Sequence, residues 1–153
     1  MRRSAGLLLF RRTREGVEVL LGHLGGPFFA RRDRGAWTVP KGEYEDDEPA
    51  WDAARREFQE ELGLQPPDGD DAVPLGEVRQ SGGKLVTVWA VEADLDPAAV
   101  VPGTFRMEWP PRSGRIQEFP ELDRVAWLSL DRAREVIVTA QTAFLDRLAE
   151  HSA

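Results

Sequence analysis

The chain has 153 residues, 41% of them apolar and 31% charged, which suits one soluble domain, 1–153, able to bury about two-thirds of its unfolded surface. A net charge of −7 argues against nucleic acid or anionic membranes held through a basic face, though not against a small phosphate compound held through metal ions. The absence of cysteine removes disulfides, thiolate nucleophiles and cysteine zinc sites, and no run approaches the roughly 20 apolar residues of a membrane span.

Met1-Arg2-Arg3 ahead of Ala5–Phe10 superficially resembles a signal peptide, but the apolar run is too short and Arg11-Arg12 follow at once, so the cytoplasm is the expected compartment. Ala5–Phe10 and Val17–Leu21 predict two short strands around a polar turn. His23, alone after the second run, reads as structural or exposed. Gly25–Gly35 admits two accounts: a solvated surface loop, or a substrate loop with Phe28 or Phe29 against a base or sugar and Arg31, Arg32 or Arg34 on phosphate oxygens. Trp37–Val39 predicts a strand that Pro40 stops. Lys41, beside Gly42, is placed to contact a phosphate or to balance the acidic loop that follows.

From Gly42 to Leu64 the pattern changes. Pro49 suits the first turn of a helix and Gly63 the position just past its end. Between them Trp51, Ala54, Phe58 and Leu62 recur at helical spacing as one apolar stripe. Glu57, Glu60 and Glu61 fall at i, i+3 and i+4, so their carboxylates gather beside that stripe. Such neighbours repel by about 0.2–0.5 kcal/mol per pair, and the C-terminal half of a helix disfavours anions. Arg55 and Arg56 relieve only part of this. A hard cation such as Mg²⁺, which takes oxygen ligands, would relieve more, while the bland alternative is a solvated acidic face.

Beyond the helix, Gln65–Asp71 is a loop by composition, and Pro74–Gln80 and Lys84–Val91 predict strands around a Ser81-Gly82-Gly83 turn. Thr104–Trp109 predicts a further strand, broken by Pro110-Pro111. Glu118-Phe119-Pro120-Glu121 precedes a strand over Arg124–Leu130. Asp131–Leu148 predicts one packing helix with Ala133, Val136, Ile137, Ala140, Phe144 and Leu148 inward. The expected class is α/β in the broad sense (α+β): a mixed sheet flanked by the helix over Pro49–Leu62 and by a C-terminal helix.

Elimination narrows the chemistry. With no cysteine and only His23 and the near-terminal His151, proton transfer falls to carboxylates. A glutamate is a weak base at neutral pH unless a cation acidifies the water it must deprotonate. Carboxylates plus Mg²⁺ suit attack on phosphorus better than peptide or ester chemistry.

Gly42, five residues, Glu48, seven residues, then Arg56-Glu57-Phe58-Gln59-Glu60-Glu61-Leu62-Gly63-Leu64 resembles the signature of the Nudix hydrolases, with every fixed position filled. The resemblance implies an αβα sandwich that cleaves the pyrophosphate link of a nucleoside diphosphate joined to another group, with Mg²⁺ or Mn²⁺. Carried over by position, Glu57, Glu60 and Glu61 ligate metal with the Gly42 carbonyl, Glu48 binds an outer metal or the water it holds, and Arg56 keeps the cluster in register. The general base is open between Glu57 and the downstream Glu118 or Glu121, with Glu118 favoured. A nucleoside triphosphate or dinucleoside polyphosphate is the expected partner; neither membrane nor nucleic acid is, and a homodimer is admitted. The tyrosine and proline that mark two subgroups of the family are absent from their usual spacing. Two other classes stay open: a Nudix-fold module that binds a nucleotide without turning it over, and an acidic helical interaction surface without metal.

Overall fold

The two apolar runs at the N-terminus form long antiparallel strands, β1 (Arg3–Thr13) and β2 (Gly16–Leu24). Gly16, at φ 126°, closes the turn between them. Buried side chains do not alternate with exposed ones along β1; Ser4 through Phe10 are all buried. The reason is that β1 is covered on both faces. Ala5, Leu7 and Leu9 belong to one core with Phe58 and Leu62, whereas Leu8 and Phe10 belong to a second core with Phe144 and Leu148.

The computed structural model describes residues 2–152. After β2 come β3 (Trp37–Thr38), β4 (Lys41–Tyr44), helix α1 (Ala50–Leu62), β5 (Val73–Arg79), β6 (Leu85–Glu92), β7 (Thr104–Glu108), β8 (Ile116–Pro120), β9 (Leu122–Ser129), α2 (Leu130–Val136) and α3 (Thr142–Ser152). Seven strands make one mixed sheet in the order β3-β2-β1-β6-β5, with β4 also on β1 and β9 also on β2. β1 and β6 run parallel from Arg3↔Leu85 to Phe10↔Glu92. β7 and β8 form a separate two-stranded ribbon. Helix α1 covers one face of the sheet and the C-terminal helices the other, as the αβα expectation requires. Among the described residues, no helix is long and apolar enough to cross a membrane.

The single C-terminal helix expected over Asp131–Leu148 is in fact two. Ile137 leaves the helical conformation (ψ 148°) and bridges to Trp37, and the Val138 amide donates to the Trp37 carbonyl at 2.8 Å. Gln141, fully buried, then accepts from the Val39 amide at 3.0 Å and donates to Thr38 Oγ1 at 2.9 Å. Those bonds to the β3 segment outweigh helix continuity. The expected inward positions Ala133, Val136, Ile137, Phe144 and Leu148 are buried all the same, whereas Ala140, in the turn between the two helices, is only half-buried.

Candidate active site

Helix α1 begins after Pro49, which stands in the capping position, and ends at Gly63, whose φ of 68° allows its amide to reach the Gln59 carbonyl. Burying Ala53, Ala54, Phe58 and Leu62 against β1 sets the rotation of the helix. Glu57, Glu60 and Glu61 are therefore placed at the edge of that interface. Glu61 is buried, Glu57 half-buried and Glu60 exposed.

All three line a cavity of about 630 Å³. Gly42 on β4, paired with Ala5 on β1, enters the same cavity. Glu43 and Glu121 complete an acidic wall, and Arg2, Lys41 and Lys84 supply a basic one. Lys84 and Arg2 both approach Glu43, at 3.5 and 3.7 Å. Carboxylates thus outnumber cations around one hollow.

The electrostatics follow from burial. It pushes the Glu61 carboxyl up to about 8, with the charges of Glu121 and Glu57 adding to the effect and Lys41 opposing it. Burial likewise raises the Glu57 carboxyl, against the pull of Arg56. It lowers Lys41, and Lys84 pushes the same way. Glu61 and Lys41 are both moved toward their neutral forms, so desolvation outweighs their mutual attraction.

Arg56 organises the other carboxylates. Its Nε and Nη2 donate to the two oxygens of Glu48, each at 2.9 Å, a bidentate fork. Its Nη1 donates to Glu57 Oε1 at 2.8 Å and to Glu60 at 3.1 Å. These bonds hold the Glu48 carboxyl below its usual range and raise the guanidinium further. Glu57 and Glu60 thus lean on Arg56, while Glu61 is not among its partners. Consistent with that split, no three Asp, Glu or His side chains among the described residues converge as a ready ligand set. The donors nevertheless suit a hard divalent ion. They are oxygens, they carry excess negative charge, and Gly42 leaves room for the Glu57 carboxylate that a side chain there would displace.

The structure brings Lys41, Gly42, Glu57, Glu60 and Glu61 to the cavity and joins Glu48 to them through Arg56. Glu118 is not brought there. It lies exposed on β8 opposite Arg106, and Glu121, three residues on, lines the cavity in its place. Glu118 falls instead within a ribbon strand over Ile116–Pro120. The Gly25–Gly35 loop does not line the cavity either. Phe28 is exposed with its ring 5.2 Å from Trp109, Phe29 packs on the core, and Arg31 and Arg32 are exposed. His23 is buried and structural: its Nε2 donates to the Arg32 carbonyl at 2.6 Å, and its Nδ1 lies 2.9 Å from Asp123. Arg2 and Lys84 were missed as cavity residues. Only the parallel register beginning at Arg3↔Leu85 makes them neighbours, and no local pattern announces it.

A family model described as the NUDIX domain matches residues 1–148. No curated protein matches the chain in sequence. Among solved structures, the chain is similar to a C. elegans Ap4A hydrolase binary complex (21% identity, TM-score 0.65, covering 99% of this chain and 98% of that one). It is also similar to a MutT protein from Methanosarcina mazei Go1 (20%, 0.64, 99% and 94%). A third is the NUDIX domain of Shewanella oneidensis NrtR complexed with ADP ribose (15%, 0.63, 99% and 88%).

Proposed function

The chain belongs to the Nudix family and is a pyrophosphohydrolase acting on acid anhydrides, and on that premise we propose that it cleaves a nucleoside diphosphate linked to another group, a nucleoside triphosphate or dinucleoside polyphosphate, in a Mg²⁺-dependent reaction. The observation that carries this reading is Glu61: a buried carboxylate on the cavity wall, beside Glu57 and Glu121, whose ionised form lacks sufficient compensation from the protein. Glu57, Glu60, Glu61 and the Gly42 carbonyl would hold the ion, Mg²⁺ or Mn²⁺, with Glu48 serving an outer position. Such an ion supplies neutralisation of phosphate oxygens and makes water acidic enough to be deprotonated near neutral pH.

The chain's own residues supply the rest. Lys41, Arg2 and Lys84 line the cavity as cations for phosphate oxygens. Arg56 holds Glu48, Glu57 and Glu60 at fixed spacing. Glu121 takes the proton of the attacking water in place of Glu118, because it shares the cavity with Glu57 and Glu61. The C. elegans and Shewanella neighbours carry an Ap4A hydrolase and an ADP-ribose complex on this fold, which favours a nucleotide substrate.

The test is a hydrolysis panel with Mg²⁺: nucleoside triphosphates, oxidised triphosphates, dinucleoside polyphosphates, ADP-ribose, nucleotide sugars and capped RNA, with Glu61→Gln as control. Metal-dependent release of a nucleotide product, lost in the control, is expected. Turnover in the presence of chelator, or equal turnover by Glu61→Gln, overturns the reading.

A further inference from the structure

Glu121 is attached to helix α1 by main-chain bonds alone. The Gly103 amide donates to the Glu61 carbonyl at 3.3 Å, the Glu121 amide donates to the Gly103 carbonyl at 2.8 Å, and the Gly25 amide donates to the Glu121 carbonyl at 2.9 Å. Two residues earlier, in the connecting segment that leads into β7, the Val101 amide donates to the Leu62 carbonyl at 2.8 Å. The last carbonyls of α1, which lack intrahelical partners, thus anchor the connector, and the connector anchors Glu121. The backbone of one cavity carboxylate hangs from the backbone of another.

Gly103, between the two glutamates, and Gly25, on the far side of Glu121, are both glycines for want of space. A Cβ on Gly25 would stand 1.8 Å from the Pro120 carbonyl oxygen, and one on Gly103 would stand 2.8 Å from the Glu60 carbonyl oxygen. Each obstacle is backbone, which cannot swing aside as a side-chain tip can. Neither glycine has the left-handed φ that would explain it otherwise. Pro120 directly precedes Glu121, and Glu60 directly precedes Glu61, so a methyl group at either glycine presses on a peptide adjoining a cavity carboxylate.

We propose that Gly25 and Gly103 are positioning residues for Glu121, setting its carboxylate against Glu61 through this backbone relay. The proposal rests on the catalytic role given to Glu121 above. It extends the site to two residues outside the family signature, one just past the end of β2 and one just before β7. An offset of about 1 Å in a reacting group can cost a hundredfold in rate, so a relay of close contacts is a sensitive adjustment.

The test is a double-mutant cycle read as kcat and KM with Mg²⁺ and two probes, diadenosine tetraphosphate and ATP. Gly103→Ala and Gly25→Ala should each lower kcat at least tenfold with KM moved less than threefold. In a Glu121→Gln background, adding Gly103→Ala should change kcat less than twofold, because the group it positions is already gone. Gly76→Ala, a strained glycine on β5 with φ 75°, controls for plain destabilisation and should leave kcat near wild type at a temperature where the protein stays folded. Full multiplicative losses in the double variant, or a Gly103→Ala loss no greater than that of Gly76→Ala, overturn the relay. If Glu121→Gln alone leaves kcat intact, the role of Glu121 fails and the relay's purpose with it. Hydrogen exchange on the wild-type protein reads the relay without any variant: the Gly25 and Glu121 amides should exchange slowly, and rapid exchange of the Glu121 amide overturns the proposal even if the alanine variants do not fold.

Discussion

A Cβ at Gly42 would stand 1.9 Å from Glu57 Oε2. The first glycine of the signature is therefore a space reserved for a carboxylate. Gly42→Ala should push the Glu57 carboxylate off its position and lower turnover by about a hundredfold. Mg²⁺ affinity, followed by calorimetry, should weaken in parallel. An alanine variant with wild-type turnover and affinity would show that this contact sets nothing.

Glu61→Gln removes a buried carboxyl whose ionised form the protein does not fully offset. The metal-free variant should melt no lower than wild type, while its Mg²⁺-induced thermal shift and its turnover disappear. A marked drop in Tm would mean that Glu61 is a structural ion-pair partner rather than a waiting ligand.

Stability should also depend on pH through this residue. Its folded carboxyl lies near 8, above the ordinary glutamate value of 4.5. Its contribution is then fully present below the unfolded value and is lost as pH rises through about 8. In metal-free buffer the Tm difference between Glu61→Gln and wild type should grow in the variant's favour from pH 5 to pH 9. Mg²⁺ should narrow the gap at the alkaline end, because it binds the ionised form. A difference that does not vary with pH would remove Glu61 as the titrating group.

Glu121→Gln and Glu118→Gln should separate cleanly. The first should depress kcat by about 10²–10⁴, the range expected for loss of a general base. The second, exposed on the ribbon, should behave as wild type. The reverse result would return the proton-transfer role to Glu118.

Arg56→Lys keeps the charge but not the fork that grips both oxygens of Glu48. Turnover should fall roughly tenfold through looser carboxylates, and the Mg²⁺ concentration giving half-maximal rate should change with it. Lysine restoring full activity would reduce Arg56 to a generic counter-charge.

What could be read from the residues was what lies close along the chain. Pro49 and Gly63 mark the limits of α1, and the spacing of Glu57, Glu60 and Glu61 places them on one side of it, because helical neighbours are sequence neighbours. Lys84 and Arg2 were invisible because only the parallel pairing of β1 with β6 brings them together. Glu118 was favoured over Glu121 for its place between a Gly/Pro-rich loop and a proline-marked turn, yet that stretch pairs as β8 through a ribbon partner, β7, that local composition does not reveal. Phe28, Phe29, Arg31 and Arg32 have the composition of a ligand loop, yet the loop is held by His23 and Trp109 away from the cavity lining. Ile137 carried a helical signal that a bridge to Trp37 overrode.

Because β1 divides two separately packed interiors, the hollow beneath α1 is braced by a layer it never touches. Trimming Leu8 or Phe144 would slacken the far side first, and the slack would reach the glutamates through the strand's own backbone. Tolerance to substitution in this protein should therefore be judged by which side of that partition a residue supports, and not by its distance from the reaction.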